Sequence, residues 1–365
     1  KLTKENIQSK RSIENINVYK GGKAKLNNNK RVIKLSSNEN PYGASPKAIE
    51  LLETKNINHD LHRYPEIDGS SLREAIAKNF SIDSNRIILG SGSDEVLLFA
   101  ALAFCQDGDE ILHANHGFEM YSIVSKVVGA VPKKIMEDVN FNLNIENLID
   151  QTNDATKVIY IASPNNPTGT YLSRDQLVKL MNSISKNIIV VIDGAYVEYV
   201  QKDDYDKGFS LTDEYENIIL TRTFSKTYGL AALRVGWCYT SQKIADIINK
   251  IKPPFNTTTI SQSLAIKALE DKEHIENSVK LNSEIKDWFE KELKLLNIKT
   301  RQTEGNFTLI ETSEEEAEKI SNHLMNDGII IRRLNSYNLP NFLRISIGTK
   351  EEMNLTVESL KKFNV

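Results

Sequence analysis

Residues 221–237 read T-R-T-F-S-K-T-Y-G-L-A-A-L-R-V-G-W. A β-type run over 217–223 enters this stretch and breaks in a small-residue turn that holds one lysine, Lys226. Thr221, Thr223, Ser225 and Thr227 flank it, and Arg234 follows eight positions later. An amine at a strand end, among hydroxyls and near a guanidinium, suits a phosphorylated aldehyde. The amine can form a Schiff base; the hydroxyls and the guanidinium can hold a phosphate. Taken alone, the same residues also describe an exposed lysine in a polar loop, so the rest of the chain has to decide.

Outward from this stretch the chain alternates strands with helices, the pattern of a mostly parallel sheet. Strands are predicted at 86–89, 110–114, 131–136, 157–162, 187–193, 217–223 and 235–240. Helices are predicted at 96–105, to about 128, and after Ser173. The glycine loop 90–95, Phe118, Asn166, Asp193, Tyr196 and Lys226 all fall just past carboxyl ends of strands. In open α/β sheets that edge binds ligands. Earlier, L-S-S-N-E-N-P-Y-G-A-S-P at 35–46 is a turn-rich lead into a helix capped by Ser45 with Pro46 in its first turn. R-Y-P at 63–65 is a loop, and a helix follows at 70–79. Beyond 242 a helical stretch, broken at Pro253-Pro254, runs to 270. A charged amphipathic helix then runs to 296. Residues 300–365 mix strands at 307–311, 328–332 and 343–347 with helices at 314–326 and 350–363. The expected organisation is an extended arm (1–35) that packs with the small domain, a large domain (36–270) and a smaller α+β domain (271–365).

A chain of 365 residues can bury two cores. Its formal charge of −3 gives no footprint for nucleic acid or an anionic membrane. No apolar run is long enough for a membrane-spanning helix, and the lysine-rich start has no apolar segment of a secretory signal. The two cysteines, Cys105 and Cys238, sit in apolar surroundings and read as buried thiols of a reducing compartment. His113 and His116 lie three apart on a strand end and turn, with no third ligand spaced to help, so no metal site is expected.

A pyridine aldehyde phosphate would give each strand-end residue a task. Lys226 would carry the aldehyde and, once released, serve as general base at a substrate α-carbon. Asp193 would keep the pyridine nitrogen protonated; it could equally be a turn or cap aspartate. Tyr196 and Asn166 could bond the ring hydroxyl, although Asn166 is also good turn chemistry in N-N-P-T-G. The N–H groups around Gly92, Ser93 and Asp94, at a helix start, would cradle the phosphate, with Thr223, Ser225 and Arg234 completing the site. Phe118 would stack on the ring, or be a core aromatic.

Several motifs stand here in order: L-S-S-N-E-N-P-Y-G (35–43), R-Y-P (63–65), G-S-G-S-D-E (90–95), S-P-N-N-P-T-G (163–169), I-D-G-A-Y (192–196) and T-F-S-K-T-Y-G-L-A-A-L-R-V-G-W (223–237). Together they resemble the fold-type-I pyridoxal-phosphate-dependent aminotransferases, and within these the histidinol-phosphate aminotransferase family. The resemblance runs from Tyr19 to R-I-S-I-G-T at 344–349. It implies an α/β fold whose large domain holds a mostly parallel seven-stranded sheet, with a smaller α+β C-terminal domain. It implies pyridoxal 5'-phosphate as cofactor and a cytoplasmic homodimer with shared active sites, in which Tyr64 reaches the cofactor phosphate of the neighbouring subunit. Arg332 and Arg344 would bind the acidic end of the substrate, helped by Tyr19 and Tyr42. The implied partners are a phosphorylated amine or amino acid and a 2-oxo acid: histidinol phosphate and 2-oxoglutarate, giving imidazole acetol phosphate and glutamate in histidine biosynthesis. From the residues alone, Arg344 in an apolar strand asks for an anion or a structural salt bridge.

The same scaffold would serve an aromatic amino acid aminotransferase or a decarboxylase of a phosphorylated amino acid such as threonine phosphate. A non-catalytic nucleotide-binding module built on 90–95 would leave Lys226, Asp193 and Asn166 without a purpose. One position departs from the resemblance. Many relatives carry an acid after the strand-end aspartate (D-E-A-Y), where this chain has Gly194; the change is expected to mark a subgroup of different substrate breadth.

Overall fold

The strand–helix alternation builds two sheets, seen in a computed structural model that describes residues 7–26, 31–54 and 60–363. Residues 1–6 and 27–30 of the expected arm lie outside the described residues. In chain order come β1 (Ile33–Leu35), α1 (Pro46–Glu53), α2 (Ser70–Phe80), β2 (Ile87–Gly90), α3 (Ser93–Phe104), β3 (Glu110–Ala114), α4 (Glu119–Val128) and β4 (Val131–Ile135). Then follow α5 (Ile145–Asp150), β5 (Thr156–Ala162), α6 (Arg174–Ser183), β6 (Ile189–Asp193), α7 (Leu211–Glu214), β7 (Ile218–Thr223) and β8 (Gly236–Thr240). The chain continues through α8 (Gln242–Asn249), α9 (Thr259–Glu270), α10 (Lys272–Leu295), β9 (Lys299–Arg301) and β10 (Phe307–Glu311). It closes with α11 (Glu314–Asn326), β11 (Ile329–Leu334), β12 (Leu339–Ser346) and α12 (Lys350–Phe363).

The larger sheet has seven strands in the order β2-β8-β7-β6-β5-β3-β4. Only β8 runs against its neighbours; the others are mutually parallel. Parallel strands are covered on both faces and read as continuous apolar runs. Accordingly β6, I-V-V-I-D, is buried at every position. One face packs on α3, α4 and α8 through Ile88, Val158, Val191 and Ile219. The other packs on α2, α6 and α9 through Leu89, Ile159, Val190 and Leu220. Capping fixes where helices begin: Ser45 caps α1, which opens on Pro46, and Ser173 with Gln176 forms a reciprocal capping box on α6.

The smaller sheet has five strands in the order β1-β11-β12-β10-β9. The arm therefore contributes a strand, β1, parallel to β11, which polarity alone did not reveal. A short helical turn at Arg11–Ile13 also interrupts the extended arm. Ile33 and Leu35 of β1 join a separate core with Ile285, Phe289 and Leu293 of α10 and the apolar faces of α11 and α12. Helix α10 links the two cores, since Ile275 near its start packs on the large-sheet core. Cys238 is buried as expected, but Cys105 is only half-buried because it caps the C-terminus of α3 at the rim. Among the described residues no helix is long and apolar enough to cross a membrane, and no cluster of three or more His, Cys, Asp or Glu could hold a metal ion.

Candidate active site

The carboxyl edge of the large sheet faces the small sheet across a cavity of about 290 Å³. Its lining includes Ser93, Asp94, Phe118, Asn166, Asp193, Tyr196, Thr223, Ser225, Lys226 and Arg234 from the large-sheet side, and Tyr19, Arg332 and Arg344 from the arm and small sheet. Thirteen expected residues from distant parts of the chain thus converge on one space.

Asp193 forms the floor at 6 % exposure. Tyr121 donates its hydroxyl to Oδ2 at 2.7 Å, while Thr221 Oγ1 (3.3 Å) and the Ala195 N–H (3.2 Å) donate to Oδ1. Burial pushes the Asp193 pKa up, and these donors oppose that shift. Neither Tyr121 nor this use of Thr221 was foreseen. Tyr121 stands three residues after Phe118 on α4, on the same helix face, with ring centroids 5.9 Å apart. That spacing was the available signal. Thr221 sits opposite Asp193 in the β6–β7 register, so its hydroxyl serves the carboxylate instead of a phosphate.

Lys226 Nζ donates to the Ser37 carbonyl at 2.9 Å and lies 5.7 Å from the Tyr196 ring centroid. The Tyr196 hydroxyl accepts from Asn38 Nδ2 at 3.0 Å. The S-S-N segment before α1 therefore positions both groups. Thr227, expected to face a phosphate, is buried outside the cavity lining.

Elsewhere along the cavity lining, α3 starts at Ser93 with no side-chain cap, which leaves first-turn N–H groups for an anion. Arg234, in the left-handed region at φ 50°, brings Nη1 to 3.4 Å from Ser225 Oγ and Nη2 to 3.6 Å from Asp94 Oδ2. Gly92 makes this approach possible: at φ 77° it favours glycine, and a Cβ there would lie 2.4 Å from Arg234 Nη2.

On the small sheet, β11 and β12 set Arg332 directly opposite Arg344. Arg344 is 4 % exposed; Nη1 donates to Asn166 Oδ1 at 2.5 Å and Nη2 to the Ser36 carbonyl at 2.8 Å. Its Nε is buried without a partner. Among the described residues no carboxylate pairs with Arg344, so the structural salt bridge allowed by the sequence is absent. Arg332 pairs loosely with Glu119 at 3.9 Å and donates to the Lys20 carbonyl at 3.1 Å. Like charges directly opposite across strands are unfavourable, and the pair faces the cavity. Tyr19 stands edge-on to Phe118, 6.1 Å between centroids.

Three expected residues lie outside the cavity lining. Tyr42 is half-buried outside the cavity lining, where burial and then Glu352 raise its phenol pKa. Tyr64 is 80 % exposed and stacks on Phe255 at 4.5 Å, also away from this cavity. Gly92 shapes the wall from behind Arg234 without lining the space.

An anion cradle, an amine and a buried carboxylate line one wall, and two opposed arginines, of which Arg344 has no carboxylate partner among the described residues, line the other. This layout fits a phosphorylated aldehyde with a basic ring nitrogen, held beside an acidic substrate. The comparisons with known proteins agree with that chemistry. The chain is 40 % identical over 352 residues to a histidinol-phosphate aminotransferase of Dinoroseobacter shibae, covering 96 % of each chain. It is 39 % identical over 355 residues to one of Pelagibacter ubique, covering 96 % of this chain and 97 % of the relative. Its fold matches the crystal structure of the Sinorhizobium meliloti histidinol-phosphate aminotransferase in complex with pyridoxal-5'-phosphate, with a TM-score of 0.85 at 23 % identity over 91 % of this chain and 90 % of that one. The family profile for class I and II aminotransferases spans residues 30–360, and on that match the chain belongs to the class I and II aminotransferase family.

Proposed function

We propose that this aminotransferase, with pyridoxal 5'-phosphate bound, moves the amine of histidinol phosphate to 2-oxoglutarate, giving imidazole acetol phosphate and glutamate in histidine biosynthesis. The observation that carries the substrate reading is the Arg332–Arg344 pair, two opposed cations facing the cavity, one buried and without a carboxylate partner. Each substrate brings an anionic end: a phosphate on one, a carboxylate on the other. One arginine pair serves both through charge-assisted, bidentate hydrogen bonds.

When bound, the cofactor supplies an electrophilic carbonyl for amine exchange and a protonated ring as electron sink. The chain's own groups do the rest. Asp193 would pair with the ring nitrogen and keep it protonated. The α3 N-terminus, Thr223, Ser225 and Arg234 would hold the phosphate. Asn166 and Tyr196 would bond the ring hydroxyl, Phe118 would stack on the ring, and Lys226 Nζ would take and return the proton at the substrate α-carbon.

We also propose a homodimer with shared active sites. Tyr64 is exposed and outside its own cavity, as a side chain meant for a neighbouring subunit would be. Residues 1–35 serve as arm, 36–270 as large domain and 271–365 as small domain, in keeping with the separate cores beneath the two sheets. Two free thiols favour a reducing compartment, the cytoplasm.

The test is a half-reaction without keto acid. Holoenzyme is mixed separately with histidinol phosphate, phenylalanine and threonine phosphate while the cofactor's visible absorbance is followed. Fast loss with histidinol phosphate alone supports the reading. Equal loss with phenylalanine makes the enzyme a broad aromatic aminotransferase, and carbon dioxide release from threonine phosphate makes it a decarboxylase.

A further inference from the structure

Behind the cavity floor lies a buried cation that the reaction does not use. Arg222, in β7, is 5 % exposed. It lies on the face of β7 opposite Thr221 and Thr223, and its guanidinium sits 5.5 Å from the Phe209 ring centroid. Nη1 donates to the Thr221 carbonyl at 2.9 Å, and Nη2 donates to the Lys207 carbonyl. Among the described residues no carboxylate makes a direct ion pair with it; the nearby Glu198, whose pKa burial raises and Arg222 lowers, feels its charge only at longer range. A buried charge held by two carbonyls is a poor stabilising device, since an apolar side chain of similar volume is often as good or better. Its presence calls for another explanation.

Thr221 supplies one. Its carbonyl accepts two donors, the Gly194 N–H at 3.0 Å and Arg222 Nη1. Its hydroxyl donates to Asp193 Oδ1, and its Cα is the register partner of Asp193. Thr221 is thus the joint between the end of β6, where the chain leaves Asp193, and the guanidinium behind it.

Gly194 makes the joint possible. A Cβ there would lie 2.2 Å from Arg222 Nη1, 2.8 Å from its Cζ and 3.2 Å from the Thr221 carbonyl oxygen. The φ of Gly194 lies outside the left-handed region, so backbone conformation does not demand glycine. The space is what matters: the guanidinium occupies the volume that any side chain at 194 would enter. The expected change in substrate breadth at Gly194 therefore has a more local physical reading.

We propose that Arg222 and Gly194 act as one positioning unit, in which the guanidinium, admitted by the missing side chain, clamps the Thr221 carbonyl and so fixes the Asp193 carboxylate against the cofactor's ring nitrogen. The inference rests on the reading of Asp193 as that nitrogen's partner. Arg222 touches neither cofactor nor substrate and works through Thr221. Arginine suits this place because its planar fork reaches the two carbonyls from two separate nitrogens in a fixed geometry, whereas a lysine ammonium must do so from a single nitrogen on a flexible stem.

The test uses purified protein with two readouts besides turnover: the dissociation constant of pyridoxal phosphate, and the pH midpoint of the bound cofactor's visible absorbance. Asp193→Asn is the control for the underlying reading and should move both. Arg222→Met should weaken cofactor binding about tenfold, the order of one hydrogen bond to a charged group. It should also shift the midpoint in the same direction as Asp193→Asn, by less, and leave the melting temperature of the cofactor-free protein unchanged or raised. Arg222→Lys should recover only part of the loss. Gly194→Ala should reproduce the Arg222→Met effects by displacing the guanidinium. The double variant should be no worse than Arg222→Met alone, because coupled sites do not add. Additive effects, or an unmoved midpoint in Arg222→Met while Asp193→Asn moves it, overturn the proposal and leave the reading of Asp193 intact. If Asp193→Asn moves neither readout, that reading fails first. Should Arg222→Met not fold, Gly194→Ala decides alone: an unmoved midpoint there overturns the proposal.

Discussion

Asp193 and Arg344 are both buried charges at the end or centre of a strand, yet the protein treats them differently. Asp193, at the tip of β6, accepts from a phenol, a threonine hydroxyl and a backbone N–H. Its carboxylate is held by three donors before any ligand arrives, while burial keeps its pKa raised until a positive group faces it, as suits a resident cofactor. Arg344, within β12, keeps a buried Nε without a partner and faces a second arginine. Its charge awaits an anion, which suits substrates that must come and go. Full satisfaction holds a group in place, whereas incomplete satisfaction leaves binding energy for an exchangeable one.

Lys226→Ala should have the largest effect, because it removes the group between the two ends: turnover should fall about 10⁴-fold or more with the fold retained by circular dichroism. Substantial residual turnover would make the comparison irrelevant to catalysis. Asp193→Asn should lower turnover about 10²- to 10³-fold, as for a buried pair that loses one charge, and loosen the cofactor. Steady-state kinetics and dialysis read both effects.

Arg344→Ala should reduce kcat/KM of both half-reactions by about 10²-fold, the cost of charge-assisted hydrogen bonds. The melting temperature of the cofactor-free protein should not fall as it would for a satisfied core residue, since an uncompensated charge is removed. If both half-reactions survive intact, the arginine pair is not the substrate site. Arg332→Ala should cost less, because Arg332 already leans on Glu119.

The smallest effect should come from His113, a buried group with an unpartnered Nε2 outside the active-site cavity. Nδ1 bonds the Ala114 carbonyl at 2.8 Å, and burial, aided by Lys134, pushes its pKa down to about 4. Between about pH 6.5 and 4 the unfolded chain takes up a proton that the folded chain refuses, so stability falls as pH falls through that window. His113→Gln should remove on the order of 2 kcal/mol of this pH dependence in melts from pH 7 to 4, with catalysis at pH 7 little changed. A catalytic loss at pH 7 would show that an unpartnered buried atom marks function even here.

Legibility followed the range of the physical cause. Period, caps and turn residues act locally, so the strand ends carrying Asp193, Asn166 and Lys226, and the helices at 314–326 and 350–363, could be read from the chain. The strand β1 was missed because three residues carry no period and form only against β11. Tyr42 shares its segment with the cavity-lining Ser36 to Glu39, but the turn that follows carries it out of the site.

The sequence by itself determined the alternating α/β scaffold, the amine at a strand end and the residue types gathered on one sheet edge, because each is written in neighbouring residues. Only the tertiary structure decided that Tyr121 and Thr221 hold Asp193, that Arg332 opposes Arg344, and that Gly194 admits Arg222. Those depend on strand order and register between segments far apart in the chain, which local periodicity does not specify.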